Sequence, residues 1–318
     1  MQTLSSAILD TLEHLHRHGA PFDYDAAMVL SGAAFRHYLF TPEDNHAWLV
    51  ENPGEHWRDD SLRLENYGAF EAIQGHTGWS GRRWDKLKGA ELVQLLRYES
   101  AENRLARLQG VGFITNVEAS RAGLRLTIDR GGETHELTHG DLSTLDDFCA
   151  GLPTLWTLRK EPGEIPAARR HALTGDVLRW AWNHYTSRKE IVHDTDAFYA
   201  TGRRAWELLQ ALSETLRTPP DDRDVEGGYA YIDAHVRELA IAREAAARFF
   251  EDPALLLEHT GREALSSPQI DGIARAWGAV AEALRAVEDA PRDATTEALR
   301  RAADADEIAF ETLRAFAG

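Results

Sequence analysis

The run YDAAMVLSGAAFRHYLF, residues 24–40, contains the point at which the predicted secondary structure changes from helix to strand. Its first half is apolar and begins just after Asp23, a good helix N-cap, while its second half is rich in aromatic residues that favour strands. Ser31-Gly32 stands between the halves, and glycine allows the backbone to turn there. We therefore predict a short helix that ends at Ser31-Gly32 and a strand over residues 35–40.

Ser31 is a candidate for the nucleophile of a serine hydrolase. The nucleophile elbow of such enzymes has glycine two residues before and two residues after the serine, at a turn from strand to helix. Those positions hold Val29 and Ala33 here, and the predicted order is helix to strand. Ser31 is therefore interpreted as a turn residue whose hydroxyl serves a structural hydrogen bond.

The residues around this run predict a mixed α+β first half. Upstream, apolar residues recur at helical spacing over residues 4–15, before a stop at Gly19-Ala20-Pro21. Downstream, Gly131-Gly132 separates two alternating runs and predicts a hairpin. Strands are predicted over residues 111–117, 124–129, 134–137 and 153–160, and helices over 61–70 and 85–108. Together these elements give a small antiparallel sheet with helices on one side.

The second half has a different pattern, with apolar residues at three- and four-residue spacing. Long amphipathic helices are predicted over residues 173–185, 198–216, 229–250, 270–287 and 295–316. Consecutive helices of this kind indicate an antiparallel bundle. We therefore expect an α+β domain over residues 1–160 and an all-α helical bundle over residues 161–318.

Composition limits the classes of function. The 318 residues include 35 Lys and Arg against 52 Asp and Glu, a formal net charge of -17. Such a chain repels nucleic acid and anionic membranes unless a basic patch overrides the charge, and the sequence contains none. A single cysteine, no signal-like N-terminus and no long apolar run indicate a cytoplasmic protein that does not span a membrane.

Cysteine and histidine motifs give weak signals. Cys149 follows two carboxylates and precedes a glycine, an environment that raises a thiol pKa, so we interpret it as a buried, inert thiol. His14 and His18 share a helix face but lack a third metal ligand. The Glu-x-x-His strings at residues 136–139 and 190–193 do not lie on facing helices, as a di-iron site requires. We therefore predict neither a metal nor another cofactor.

Aromatic residues provide the candidates for ligand binding. The stretch VLRWAWNHY places Trp180 and His184 on one helical stripe, with Tyr185 on a neighbouring face. Such a stripe is most often core, but nine tryptophans is a high count and several lie near the predicted domain junction, where small-molecule pockets tend to form. A glycine-rich polar loop over residues 75–89 carries Trp79. The predicted ligand-binding residues are Arg36, Trp79, Trp180, His184 and Tyr185.

Two segments resemble landmarks of a known group of proteins. They are SGAAFR, residues 31–36, and ATGRRAW, residues 200–206. Both are similar to segments of papain-like proteins related to the N-terminal domain of the butirosin-biosynthesis acyltransferase. In that group a first helix carries the nucleophilic cysteine and a later strand carries a histidine. The resemblance implies a papain-like N-terminal domain followed by a helical domain.

The chain departs from this group at the catalytic positions. Ser5 or Ser6 stands where the group has its cysteine, and Gly112 or Phe113 stands near the histidine position. A papain-type site requires a thiolate held beside an imidazole, and a serine without a base is a weak nucleophile at neutral pH. The first hypothesis is therefore a catalytically degenerate protein that binds a small molecule, peptide or protein partner in an interdomain cleft.

Two further hypotheses remain open at the level of sequence. The first is an acyltransferase or amide hydrolase that uses Ser5 or Ser6, with His37, His76 or His184 as the base. The second is self-association through an apolar face of residues 198–216 or 270–287, which would make the protein a homo-oligomer.

Overall fold

The computed structural model describes residues 4–41, 69–108, 111–120, 123–141, 144–187, 189–191, 198–218, 225–260 and 267–317. The protein is of mixed α+β class, as predicted. Its chain groups into two compact units. The helical unit comprises Met1–Leu9, Asp23–Ala72 and Ile165–Gly318, and the sheet unit comprises Asp10–Phe22 and Ile73–Glu164. The predicted division into residues 1–160 and 161–318 stays a prediction.

The element order follows the chain. The helices are α1 (Leu4–Arg17), α2 (Tyr24–Leu30), α3 (Ala69–Thr77), α4 (Gly89–Ala101), α5 (Leu145–Ala150), α6 (Ala167–Ser187), α7 (Gly202–Arg217), α8 (Val225–Glu251), α9 (Pro253–Thr260), α10 (Ser267–Glu288) and α11 (Thr295–Ala317). The strands are β1 (Tyr38–Thr41), β2 (Trp79–Trp84), β3 (Ala106–Leu108), β4 (Gly112–Ser120), β5 (Gly123–Arg130), β6 (Glu133–His139), β7 (Leu155–Lys160), β8 (Lys189–Ile191) and β9 (Phe198–Thr201). A short 3-10 helix covers Ala33–Phe35.

The sheet unit is built on a six-stranded antiparallel sheet in the order β2-β7-β3-β4-β5-β6. Gly131 and Gly132 have φ of 62° and 89°, which confirms the predicted hairpin between β5 and β6. One face of the sheet packs on α4 and α5 through a core of buried apolar side chains. That core comprises Leu92, Leu96, Ala106, Leu108, Ile114, Leu124, Leu126, Ile128, Cys149 and Leu155.

The helical unit packs long helices around aromatic side chains. Trp277 of α10 is fully buried, and its ring centroid lies 5.2 Å from that of Phe35 and 5.1 Å from that of Phe310. This packing explains why the sequence patterns of α6, α8, α10 and α11 are amphipathic. None of the helices in the described part of the chain combines the length and the apolar character that crossing a bilayer demands.

The prediction of an all-α second half is wrong in one respect. The predicted helix over residues 198–216 begins only at Gly202, because Phe198–Thr201 forms β9. This strand pairs antiparallel with both β1 and β8, so the helical unit also contains a three-stranded sheet. The helix-like apolar spacing of the run concealed a strand that pairs with β1, far away in sequence, and with β8, which shortly precedes it.

Two predictions in the first half also require correction. The predicted helix over residues 85–108 ends at Ala101, and Ala106–Leu108 is a strand of the sheet. The predicted polar loop over residues 75–89 contains β2, which pairs with β7 at the sheet edge. The predicted helix over residues 61–70 lies outside the described residues except at its end, where α3 begins.

Candidate functional site

The turn after α2 is held by Ser31. Its hydroxyl donates to the Met28 carbonyl at 3.2 Å and accepts from the Ala33 backbone N–H at 3.3 Å. Gly32 follows with φ of 76°, a left-handed conformation that glycine adopts without strain. The structural interpretation of Ser31 agrees with this geometry, since both hydrogen bonds of the hydroxyl are made to its own turn.

Gly32 also allows Trp180 of α6 to approach the turn. A Cβ atom on Gly32 would lie only 2.8 Å from Trp180 Cζ3. The Trp180 ring stacks on His184 with centroids 4.9 Å apart, and the guanidinium carbon of Arg36 lies 5.7 Å from the Trp180 ring centroid. Three of the predicted ligand-binding residues, Arg36, Trp180 and His184, are therefore neighbours.

A buried charge pair holds the backbone between the Ser31-Gly32 turn and His37. Arg243 of α8 and Asp306 of α11 are both fully buried and form a two-pronged ion pair, with Nε 2.8 Å from Oδ1 and Nη2 3.2 Å from Oδ2. Arg243 Nη1 donates to the Ala34 carbonyl at 2.6 Å, and Trp206 Nε1 donates to Asp306 Oδ2 at 2.9 Å. This network fixes the backbone immediately before His37.

His37 lies next to this network and is itself 1% exposed. Its ring centroid is 4.7 Å from the ring of Trp206 and 5.2 Å from that of His235. His184 is 5% exposed, contacts Tyr38 at a ring-centroid distance of 4.6 Å and donates a ring hydrogen bond to the His37 carbonyl. We call Arg36, His37, Tyr38, Trp180 and His184 the imidazole site.

Three ring nitrogens of the imidazole site are without hydrogen bonds. They are Nδ1 and Nε2 of His37 and Nε2 of His184, none of which has a partner within the described part of the chain. Most buried polar atoms in proteins are hydrogen-bonded, so unpartnered ones require an explanation. Since His184 donates through its other nitrogen, its Nε2 is a hydrogen-bond acceptor when the ring is neutral.

Both rings are neutral at physiological pH. Burial, together with the charges of Arg36 and Arg243, lowers the pKa of His184 to about 3. Burial, with His235 and Arg243 nearby, also lowers the pKa of His37 well below its ordinary value of 6.5. A neutral imidazole has one donor and one acceptor, so each ring can both give and receive a hydrogen bond.

The remaining predicted ligand-binding residues lie elsewhere. Tyr185 is on another face of α6, where it is buried and stacks on Phe310 with centroids 4.2 Å apart, which is a core contact. Trp79 belongs to β2 of the sheet unit and packs edge-on against His18. His76 is buried at the end of α3 in the sheet unit, and the side chains of Ser5 and Ser6 lie outside the described residues.

The histidines and Glu-x-x-His strings that were weighed as metal ligands lie in separate places in the structure. His14 Nε2 contacts the Leu105 carbonyl at 2.9 Å, and His18 accepts from the Leu105 N–H while its Nδ1 donates to the His14 carbonyl. Glu136 and His139 lie on edge strand β6, Glu190 is in β8, and His193 is outside the described residues. No group of three or more potential ligands in the described ranges is arranged to hold a metal ion.

Cys149 is buried on the inner side of α5. Burial raises its thiol pKa, and the carboxylate of Asp146 raises it further. A thiol with a raised pKa is poorly ionised at neutral pH and is a poor nucleophile. The environment inferred from the sequence agrees with this placement.

Arg243, Asp306, Trp206 and His235 were not among the predicted site residues. A signal was present for two of them, because Arg243 and Asp306 each interrupt the apolar stripe of a predicted helix. A charge on such a stripe is almost never buried without a partner. What the sequence does not contain is the pairing itself, which joins residues 63 positions apart.

Comparison with protein-family models finds no match, and comparison with curated proteins finds none either.

Proposed function

We propose that the chain is a catalytically degenerate papain-like protein that binds a small molecule at the imidazole site. The observation that supports this proposal is the set of three unpartnered ring nitrogens on His37 and His184. An unpaired polar group in the interior costs about 1–3 kcal/mol, and a bound molecule that supplies the missing partners removes that cost.

The chemistry of the site defines the ligand. His37 offers one donor and one acceptor, and His184 Nε2 offers a second acceptor. A matching molecule carries at least one hydrogen-bond donor and one acceptor. The positive charge of the Arg36 guanidinium, which lies near the Trp180 ring, favours a planar or anionic group beside these polar atoms.

The same features argue against acyl-transfer chemistry. A nucleophilic mechanism needs a hydroxyl or thiol within hydrogen-bond reach of a basic imidazole. His37 makes no ring hydrogen bond within the described residues, and its pKa lies well below its ordinary value because the ring is buried. The Cys149 thiol is buried with a raised pKa.

The papain-like framework is supported by the SGAAFR segment and by the antiparallel sheet of the sheet unit.

The test is to identify what co-purifies with the chain. The full-length protein is purified under native conditions and denatured, and the released small molecules are identified by mass spectrometry. The decisive variant is His184→Phe, which keeps an aromatic ring between Trp180 and Tyr38 but removes both ring nitrogens. The matched control is His171→Phe on the same helix, because the His171 ring contacts the Glu258 carbonyl at 3.1 Å and is not part of the imidazole site.

We expect one molecule to be released in stoichiometric amount from the unmodified protein and from the His171→Phe variant, and to be lost from the His184→Phe variant. Equal retention by both variants would show that the site lies elsewhere. Release of a peptide would replace the proposed ligand class, and release of no stoichiometric molecule would refute occupancy of the site.

A further inference from the structure

A second candidate site lies within the sheet unit, where the end of α4 faces β4. The structure contains a cavity of about 260 Å³ there. Its lining residues are Leu96, Glu99, Ser100, Asn103, Arg104, Leu105, Ala106, Ile114, Thr115, Asn116 and Val117. The volume is slightly below the ~300 Å³ at which drug-sized pockets begin, so the cavity suits a smaller molecule.

The cavity has an apolar floor and a polar rim. Leu96, Ala106 and Ile114 are buried and form part of the core of the sheet unit. The exposed rim carries hydroxyl and amide side chains, namely Ser100, Asn103, Thr115 and Asn116. A few converging polar groups over an apolar floor are typical of small-molecule sites.

Two backbone irregularities position the rim. Asn103 has φ of 55°, in the left-handed region that non-glycine residues seldom adopt. The pairing of β4 with β5 shifts register between Ile114 and Asn116, a bulge-like irregularity. Bulges occur often beside binding sites, where they redirect side chains. Both irregularities fall on residues that line the cavity.

The charged residues of the cavity neutralise each other. Arg104 Nε lies 2.9 Å from Glu99 Oε2, and Arg104 Nη2 lies 3.5 Å from Glu99 Oε1. The Glu99 and Arg104 side chains are only 8% and 18% exposed, so neither is readily released to bind an ion. An anionic or cationic ligand would have to break this pair, whereas an uncharged ligand would not.

The polar atoms that remain match hydroxyl groups. The Ser100 hydroxyl and the Asn103 side-chain amide are exposed at the rim of the cavity, and together they supply donors and acceptors. Neighbouring hydroxyls of a sugar or polyol both donate and accept. We propose that this cavity binds an uncharged polyhydroxylated molecule of about monosaccharide size.

The test is saturation-transfer NMR on the full-length protein. The probes are glucose, mannose and myo-inositol, with glucose 6-phosphate and glucosamine as charged comparators. The decisive variant is Asn103→Gly, which removes the amide while glycine tolerates the positive φ. The matched control is Lys86→Gly in the same unit, because Lys86 is the other non-glycine residue with positive φ, at 54°, and does not line the cavity.

We expect at least one uncharged probe to bind more tightly than both charged comparators. The Asn103→Gly substitution should raise its dissociation constant roughly five- to tenfold, the effect of one lost hydrogen bond, and Lys86→Gly should leave it unchanged. Preference for a charged comparator, equal binding by the two variants, or no binding of any uncharged probe would overturn the proposal. None of these outcomes depends on the imidazole site.

Discussion

At the scale of single residues, the segment before His37 depends on one buried charge pair. Arg243 donates to the Ala34 carbonyl and to both carboxylate oxygens of Asp306. Such a pair offsets the desolvation of its two charges only while both partners are present. The pair therefore adds little net stability, but it holds the backbone before His37 in place.

We predict that Asp306→Asn destabilises the protein by about 3–5 kcal/mol, because Arg243 then retains a buried charge without a counter-charge. The matched control is Asp233→Asn, which breaks the partly exposed pair with Arg292 at 3.2 Å and should cost less than about 1 kcal/mol. Free energies of unfolding in urea measure both effects. Similar losses for the two variants would mean that the charge of Asp306 is not needed.

At the scale of elements, the passage from α2 to β1 requires glycine at position 32. The left-handed φ and the Trp180 ring both exclude a side chain there. The turn thereby brings Trp180 of α6 against the segment that carries Arg36 and His37. Gly32 thus allows the chain to turn after α2 and allows the Trp180 ring of α6 to pack against that turn.

We expect Gly32→Ala to destabilise the protein by more than Gly19→Ala does. Gly19 also has positive φ, at 72°, but a Cβ there would meet no atom within 4 Å, so its substitution measures backbone strain alone, about 1 kcal/mol. Gly32→Ala adds overpacking against Trp180, which costs a further 1–3 kcal/mol or so. Urea unfolding of both variants is the measurement, and equal losses would disprove the contact.

Local signals account for the elements that were predicted correctly. The Asp23 cap, the stop after α1 and the Gly131-Gly132 hairpin are all decided by residues a few positions apart. By contrast, β2 has a half-exposed, arginine-containing sequence at the sheet edge, and β9 runs directly into α7. Their strand character depends on pairing with strands that lie far away in sequence, β7 for β2 and β1 for β9, although β9 also pairs with the nearby β8.

Only part of the candidate set of ligand-binding residues lies together in the structure. The sequence identified Arg36, Trp180 and His184 as ligand-binding candidates, and the structure makes them neighbours. It could not show that Tyr185 turns toward Phe310 instead. Nor could it separate Trp79 from the helical unit, because which residues share a compact unit is set by long-range contacts.

At the scale of the whole molecule, burial of neutral histidines makes stability depend on pH. Burial lowers the pKa of His14, His184 and His235 to about 3 and that of His37 well below 6.5. The unfolded chain binds protons near pH 6.5, while the folded chain does not. The stability from these rings is therefore complete above pH 6.5 and is lost as the pH falls toward 3.

We predict that the free energy of unfolding decreases steeply between about pH 6.5 and about pH 4, by up to about 1.4 kcal/mol per pH unit for each buried histidine. His184→Phe should remove one histidine from this slope. Urea unfolding at several pH values gives the slopes. A stability that stays constant over this range would contradict the neutral state of the rings.

Nitrogen-15 NMR of the histidine rings in the full-length protein is the most direct test of the imidazole site. The spectra are recorded near neutral pH, with and without the co-purifying molecule. We expect His37 to give the signals of a neutral ring, with both nitrogens shifting when the molecule is added, since neither has another partner within the described residues. An imidazolium signal from His37 near neutral pH, or unchanged His37 and His184 nitrogens on binding, would contradict the proposed function.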